Sequence, residues 1–525
     1  MSSKQDDTRA SRVPMFAFSP IRGAQEEELA VNPMVLRFRE SRAALSADPF
    51  RPSYHFVSPE STMNDPNGLC YRQGLWHLFY QGYPPEDPRQ HWGHAVSRDL
   101  IHWRDLPYAI YPDPERCCFS GATLVEEDRV IAMYHGTEAG NMVAVSSDPL
   151  LLTWEKLTGA PVIPNADDAP YRVFDPCIWK KDGVYFSLSA GYTYHEPSGR
   201  RLRADFLFRS TDLVNWEYLH PFVEEDVFGL PGDDGACPYF WPIGNRHMLL
   251  HFSHMSGGKY ILGDYDTERD VLIAAAGGRF NFGAFGPGGI HAPSATPDGE
   301  GGIIVIFNMN AAKPSHGWNQ IMSLPRRLTL EDAETIQVEP AGDVESLRRS
   351  HVYLEERTLP ANEEVLLDSL GGRAIEIIAC IDAAGSSSVE LSVLRSPNGE
   401  ERTRIIVYPQ RGFRDWRRYA GWQTEAFRAA QDSIVCLETT GSSLSPDVQS
   451  RPPECAPVYI APQEPIEMRI FVDHSVVEVF VNGRQCVAAR VYPSRSDSTG
   501  VSLASRGSDS RLERLDFWQL DTIYA

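Results

Sequence analysis

Three carboxylate-bearing stretches lie far apart in the chain, each beside proline or glycine. Asp65 sits in Met63-Asn64-Asp65-Pro66-Asn67-Gly68, and Asp175 precedes Pro176 in Val173-Phe174-Asp175-Pro176-Cys177. Gly232-Asp233-Asp234-Gly235-Ala236-Cys237-Pro238 carries two more. A carboxylate can attack an electrophilic carbon or carry a proton, and two of them can divide those tasks once a fold brings them together. The same residues also read as turns, because Pro fixes φ, Gly supplies positive φ and Asn tolerates either. On that plainer reading Asp-Pro-Asn-Gly is a hairpin turn, Asp175 a turn residue and Asp233-Asp234-Gly235 a solvated bend.

The elements that must position these groups read as β throughout. From residue 53 to 335 the chain alternates short strands with turns rich in Gly, Pro, Asp and Asn, and helical periodicity is scarce. Ser97-Arg98-Asp99-Leu100-Ile101-His102-Trp103 recurs as Ser210-Thr211-Asp212-Leu213-Val214-Asn215-Trp216, and more loosely as Ser147-Asp148 through Trp154. A strand, then Ser-x-Asp, then Trp, repeated every 50 to 60 residues or so, is blade-like and predicts a β-propeller of four-stranded blades. Residues 1–52 read as an N-terminal arm, polar and flexible to about residue 30, with a short helix over 33–47. Residues 331–350 are charged and linker-like. Residues 336–525 read as linker and β-sandwich, with a hairpin signature where Met468-Arg469-Ile470-Phe471-Val472-Asp473 meets Val476-Val477-Glu478-Val479-Phe480-Val481.

Composition limits the partners. A chain of 525 residues calls for more than one core. The formal net charge of -22 disfavours nucleic acid and anionic membranes and suits a neutral substrate such as a sugar. No apolar run reaches the roughly 20 residues that span a bilayer. Nine scattered cysteines, an odd count without C-x-x-C, argue against a disulfide framework and against structural zinc. They read as free thiols, which together with the polar opening segment predicts a cytoplasmic protein. Dispersed His and Cys predict no metal and no cofactor. Gly257-Gly258-Lys259 reads as a turn rather than a phosphate loop.

Met-Asn-Asp-Pro-Asn-Gly followed by an aromatic strand ending Phe79-Tyr80-Gln81 resembles the nucleophile motif of glycoside hydrolase family 32, the invertases, inulinases, levanases and fructosyltransferases. The resemblance extends through Phe119-Ser120-Gly121, His91-Trp92-Gly93, Asp175-Pro176, Cys237-Pro238 and the C-terminal strands. It implies five blades, a C-terminal β-sandwich, and retaining hydrolysis or transfer of a fructosyl group from sucrose or an oligosaccharide. It further implies that Asp65 is the nucleophile and that Asp175 stabilises the transition state. Asn64, Gln81, Trp92, Phe119 and Ser120 would contact sugar, with Trp92 as a stacking platform. His291-Ala292-Pro293-Ser294 resembles a structural motif of the last blade. Two positions depart from the pattern. Phe174 stands where the family has Arg, and Ala236 stands where it has the acid/base Glu. Ala carries no proton. Either the acid has moved, to Asp234 ahead of Asp233, or hydrolysis was lost and sugar binding kept, or Ala236 is an engineered substitution. A homo-oligomer is compatible with this reading, and the sandwich is one region that could carry its contacts.

Overall fold

The computed structural model describes residues 10–166, 168–383, 385–415, 418 and 430–524. Strands of largely buried pattern form five sheets of four or five strands, antiparallel except where Val223–Glu224 runs parallel to Val271–Arg279, then two larger sheets. The first sheet runs outward in chain order through Met63–Arg72, Leu75–Gly82, His91–Ser97 and Trp103–Ile110. The innermost strands of the five sheets are Met63–Arg72, Cys118–Val125, Pro176–Lys181, Ala236–Ile243 and Ile290–Pro297. They touch one another in a closed ring. This is the five-bladed propeller that the repeat and the resemblance predict.

The repeated Ser-x-Asp…Trp stretch is the turn into the outermost strand of blades one to three. Asp99 accepts from the backbone N–H of Ile101 and His102, and Asp212 from those of Val214 and Asn215. Leu100, Leu151 and Leu213 all hold positive φ, at 69°, 53° and 68°. Blades four and five use the same aspartate, Asp266 and Asp332, without the flanking Ser and Trp.

Four of the five inner strands open with a β-bulge, at Met63/Pro66, Cys118/Gly121, Ala236/Tyr239 and Ile290/Pro293. An extra residue on one strand bends it and re-aims its side chains. Asp-Pro-Asn-Gly is therefore not a hairpin turn. It lies within the strand Met63–Arg72, where Gly68 (φ +48°) packs so closely that a Cβ would stand 2.6 Å from the Thr123 methyl.

The sandwich packs a seven-stranded sheet on a six-stranded one around a wholly apolar layer that includes Ile375, Ile377, Val389, Leu391, Ile405 and Val407. Its strands Ile466–Asp473 and Val476–Val481 form the expected hairpin, with Asp473 opposite Val476. The 331–350 stretch is more than linker, since Ile336–Pro340 is the outermost strand of blade five.

Two expectations need correction. Much of the arm is ordered, with helices at Arg22–Ala30 and Pro33–Leu45. Val13, Leu29, Met34 and Phe38 bury apolar side chains there, and Ser11 Oγ lies 2.6 Å from His91 Nε2. These buried apolar residues are too few and scattered for a search for periodicity to find, and others in the arm, Met15, Ile21 and Val31, stay exposed. The cysteines are not all free: Cys436 and Cys455 form a disulfide across neighbouring sandwich strands, where pairing register sets them opposite each other. An odd count excludes complete pairing, not one bridge. No helix among the described residues is long and apolar enough to cross a membrane.

Candidate active site

The bulged ends of the inner strands meet at one mouth of the ring and line a cavity of about 360 Å³. Asp65 comes from blade one, Phe119 and Ser120 from blade two, Phe174 and Asp175 from blade three, Ala236 and Cys237 from blade four and His291 from blade five. The site thus draws on every blade, and each side chain reaches it from the first residues of an inner strand or just before them.

Asp65 is nearly buried and fully engaged. Its Oδ2 accepts from Ser120 Oγ at 2.8 Å and from Gln81 Nε2 at 3.3 Å, and its Oδ1 lies 3.1 Å from His291 Nδ1. Burial works against its charge. The hydrogen bond and charge of His291, with the Ser120 hydroxyl, outweigh burial and hold the carboxyl below its usual range. Asn64 extends this network by donating to Gln81 Oε1 and accepting from Gln320 Nε2.

Asp175 is tuned the other way. Burial first, then the charge of Asp65, push its carboxyl up to about 7. The two aspartates are linked through Cys237, whose φ of +50° is set by the blade-four bulge. Cys237 Sγ lies 3.7 Å from Asp65 Oδ2 and 3.5 Å from Asp175 Oδ2, and its backbone N–H donates to the latter at 3.0 Å. The arrangement holds one ionised carboxylate and one carboxyl that is half-protonated near neutrality, within a single thiol's reach. Such divergence is how a pair of carboxylates takes up distinct roles.

Asp233 and Asp234 separate. Asp233 turns away from the cavity into a buried ion pair with Lys259, and accepts from Ser256 Oγ and Leu230 N. Burial opposes its charge, but these partners hold its carboxyl at about 2, so it carries no proton at neutral pH. Asp234 lines the cavity, with Oδ2 2.7 Å from His254 Nδ1. Ala236 also lines the cavity.

Trp92 does not reach the cavity and is no stacking platform. It lies on the third strand of its blade and is fully buried against Phe79 and Tyr134, with ring centroids 5.6 Å away in each case. Its Nε1 donates to Phe119 O at 2.9 Å, so it braces the Phe119-Ser120 bulge from behind. The aromatic wall is built by other rings. Phe174 stacks at 6.1 Å on Tyr192 and stands 5.9 Å from His135, which is 6.2 Å from Phe119. Arg172 does not line the cavity. Arg201 does, from the hairpin Tyr192–His195/Arg200–Arg203, with its guanidinium 4.4 Å from the Tyr192 ring centroid.

Sequence reasoning set His291 down as structural and passed over His254, His135, Tyr192 and Arg201. For His254 a signal was there: it directly follows the strand that ends Phe252-Ser253, just before Gly257-Gly258.

Comparisons agree with this architecture. Residues 55–340 match the family model described as "Glycosyl hydrolases family 32 N-terminal domain", and residues 343–519 that described as "Glycosyl hydrolases family 32 C terminal". The chain is 28% identical to a levanase of Bacillus subtilis (strain 168) over 521 residues, covering 90% of this chain and 71% of the relative. It is 26% identical to a fructan 6-exohydrolase of Beta vulgaris, covering 90% and 87%. Among solved structures, fructan 1-exohydrolase IIa from Cichorium intybus superposes with a TM-score of 0.77 at 22% identity, covering 90% of this chain and 98% of that one.

Proposed function

The chain belongs to glycoside hydrolase family 32, and on that footing we propose that it is a retaining hydrolase of the β-fructofuranosidase type, acting on sucrose, fructo-oligosaccharides or related fructosides. The observation that supports this most directly is the meeting of Asp65 and Asp175, from blades one and three, in one cavity, where Cys237 Sγ lies within 3.7 Å of both. Asp65 attacks the anomeric carbon and forms a fructosyl ester. Asp175 hydrogen-bonds sugar hydroxyls as the oxocarbenium-like transition state forms. Asn64, Gln81 and Ser120 position Asp65 and the hydroxyls around it. A proton for the leaving oxygen comes from the corner of the cavity where Asp234 lies. Water then cleaves the ester. A second sugar in its place would make the protein a fructosyltransferase. The levanase and exohydrolase relatives support an oligosaccharide substrate.

One observation favours a second reading, sugar binding without turnover: Ala236 supplies no proton. The experiment measures fructose release from sucrose, inulin-type oligomers and an aryl β-fructoside with a good leaving group, with Asp65→Asn as control. Release from natural sugars that the control abolishes supports the hydrolase. Sugar binding without release from any of the three sinks it.

A further inference from the structure

Blade four brings a carboxylate–imidazole pair to the cavity beside Ala236. Ala236 pairs with Phe252 across the first two strands of the blade. Continuing that antiparallel register by two residues on each side sets Asp234 opposite His254, and the side chains meet there: Asp234 Oδ2 lies 2.7 Å from Nδ1, and Oδ1 accepts from the His254 backbone N–H at 3.2 Å. The ground beneath is locked, because Asp233 ties to Lys259 and Ser256 on the far side of the same turn. Phe252 stands edge-on to the imidazole at 5.3 Å. Asp234 engages Nδ1, and among the described residues Nε2 has no partner. About half of the His254 side chain is open, and it lines the same cavity as Asp65, Asp175 and Ala236. Its ring centroid is 6.0 Å from that of His291, whose Nδ1 touches Asp65.

We propose that His254 is the acid/base of this site, with Asp234 as the positioning residue that orients its ring and stabilises its cation; this rests on the glycosidase reading. In the first step an Asp65 oxygen bonds to the anomeric carbon, the bond from that carbon to the leaving oxygen breaks, and the Nε2 proton passes to the leaving oxygen. His254 is then neutral. In the second step Nε2 takes a proton from water as the water oxygen bonds to the anomeric carbon and the Asp65 ester oxygen departs, which regenerates both groups. The groups facing the imidazole are Asp234, Asp175, Asp65 and the ring of His291. The Asp234 hydrogen bond, ahead of burial, which acts the other way, raises the proton affinity of His254 above the ordinary value, which favours the cation needed for the first step. A carboxylate–imidazole pair can work as acid and base where a glutamic acid would, because the carboxylate fixes the ring's orientation and steadies its positive form.

The test compares His254→Gln and Asp234→Asn with the wild type on sucrose and on an aryl β-fructoside with a good leaving group. His254→Gln is expected to lose about 10² to 10⁴-fold on sucrose, whose leaving group needs the proton, and less than about tenfold on the aryl substrate. Azide should rescue its second step. Asp234→Asn should lower the pKa of the basic limb of the pH–rate profile, a change that loss of structure alone would not produce. Equal losses on both substrates, or sucrose turnover kept by His254→Gln, overturn the assignment. Leaving-group dependence that appears in Asp175→Asn instead gives the proton to Asp175 and also overturns it. If the wild type turns over neither substrate, the glycosidase reading fails and this inference falls with it. If the wild type is active, Asp65→Asn is dead and His254→Gln is normal, only the inference falls.

Discussion

Replacing His55 with Gln should make the joint between propeller and sandwich lose a stabilisation that depends on pH. Asp473 is buried at this joint and accepts from Ser53 N, Ser53 Oγ, Tyr54 N and His55 N at 2.7 to 2.9 Å. His55 Nδ1 lies 2.9 Å from Asp473 Oδ2, and Nε2 lies 3.1 Å from Glu478 Oε1, which also accepts from Leu324 N. Glu478 Oε2 pairs with the buried Arg326. Burial alone would lower the pKa of His55. The hydrogen bonds to two carboxylates outweigh it and raise the value to about 9, against an ordinary value near 6.5. The folded state therefore binds this proton more tightly than the unfolded chain does. The stabilisation is complete below about pH 6.5 and is lost as pH rises through about 9. A shift of this size corresponds to about 3 kcal/mol. Chemical denaturation of wild type and His55→Gln between pH 6 and pH 10 reads it directly. The stability gap between the two should narrow by about 3 kcal/mol across that range. A gap that stays level, or widens with pH, would refute the reasoning.

Three further outcomes are expected. Ser120→Ala removes a hydroxyl that donates to ionised Asp65, an interaction worth about 1.5 to 3 kcal/mol, so kcat/KM should fall by about ten- to a hundredfold. The acidic limb of its pH profile should also move up, because a donor that lowers the Asp65 pKa is gone, and an unmoved limb would count against the nucleophile assignment. Arg201→Ala should raise KM for oligosaccharides more than it lowers kcat, since the guanidinium rests on Tyr192 at the wall rather than beside Asp65. A kcat effect alone would place it elsewhere. Peptide mapping without reductant, on protein from its source cells, should recover Cys436 linked to Cys455. Recovery as free thiols would refute the pairing.

The parts of this molecule that were legible in sequence are those whose signal is local. Asp99, Asp148 and Asp212 announced blades because Ser and Trp accompany them. Asp266 and Asp332 make the same turn with only the aspartate, and were invisible. Asp65, Asn64, Gln81, Ser120, Phe119 and Asp175 were legible through motifs and do line the cavity together. His291 and His254 were misread or missed because a bulge and a cross-strand register bring them in, and only His254, just before Gly257-Gly258, leaves a mark in the residues alongside. Trp92 shows the converse. Pattern matching placed it at the pocket, yet its ring is buried against Phe79 and Tyr134, where it holds Phe119 instead.

The missing glutamate can be put back, and the result separates a relocated acid from a lost one. Ala236 lines the cavity between Gly235, at φ +65°, and Cys237, which touches both aspartates. A glutamate there would enter a space that already holds the charge of Asp65 and, part of the time, that of Asp175. Near those charges its own carboxyl would stay protonated more readily, which is the form an acid needs. If the site had lost its proton donor, Ala236→Glu alone should raise turnover of sucrose by about 10² to 10⁴-fold, the usual contribution of general acid catalysis. If His254 already supplies the proton, Ala236→Glu should change wild-type turnover by less than about tenfold. The same change in a His254→Gln background should then recover much of what that variant lost. A large gain in the single variant would show that the natural site works without an acid. A gain confined to the double variant would show that blade four had moved the acid from position 236 to the end of the paired strand.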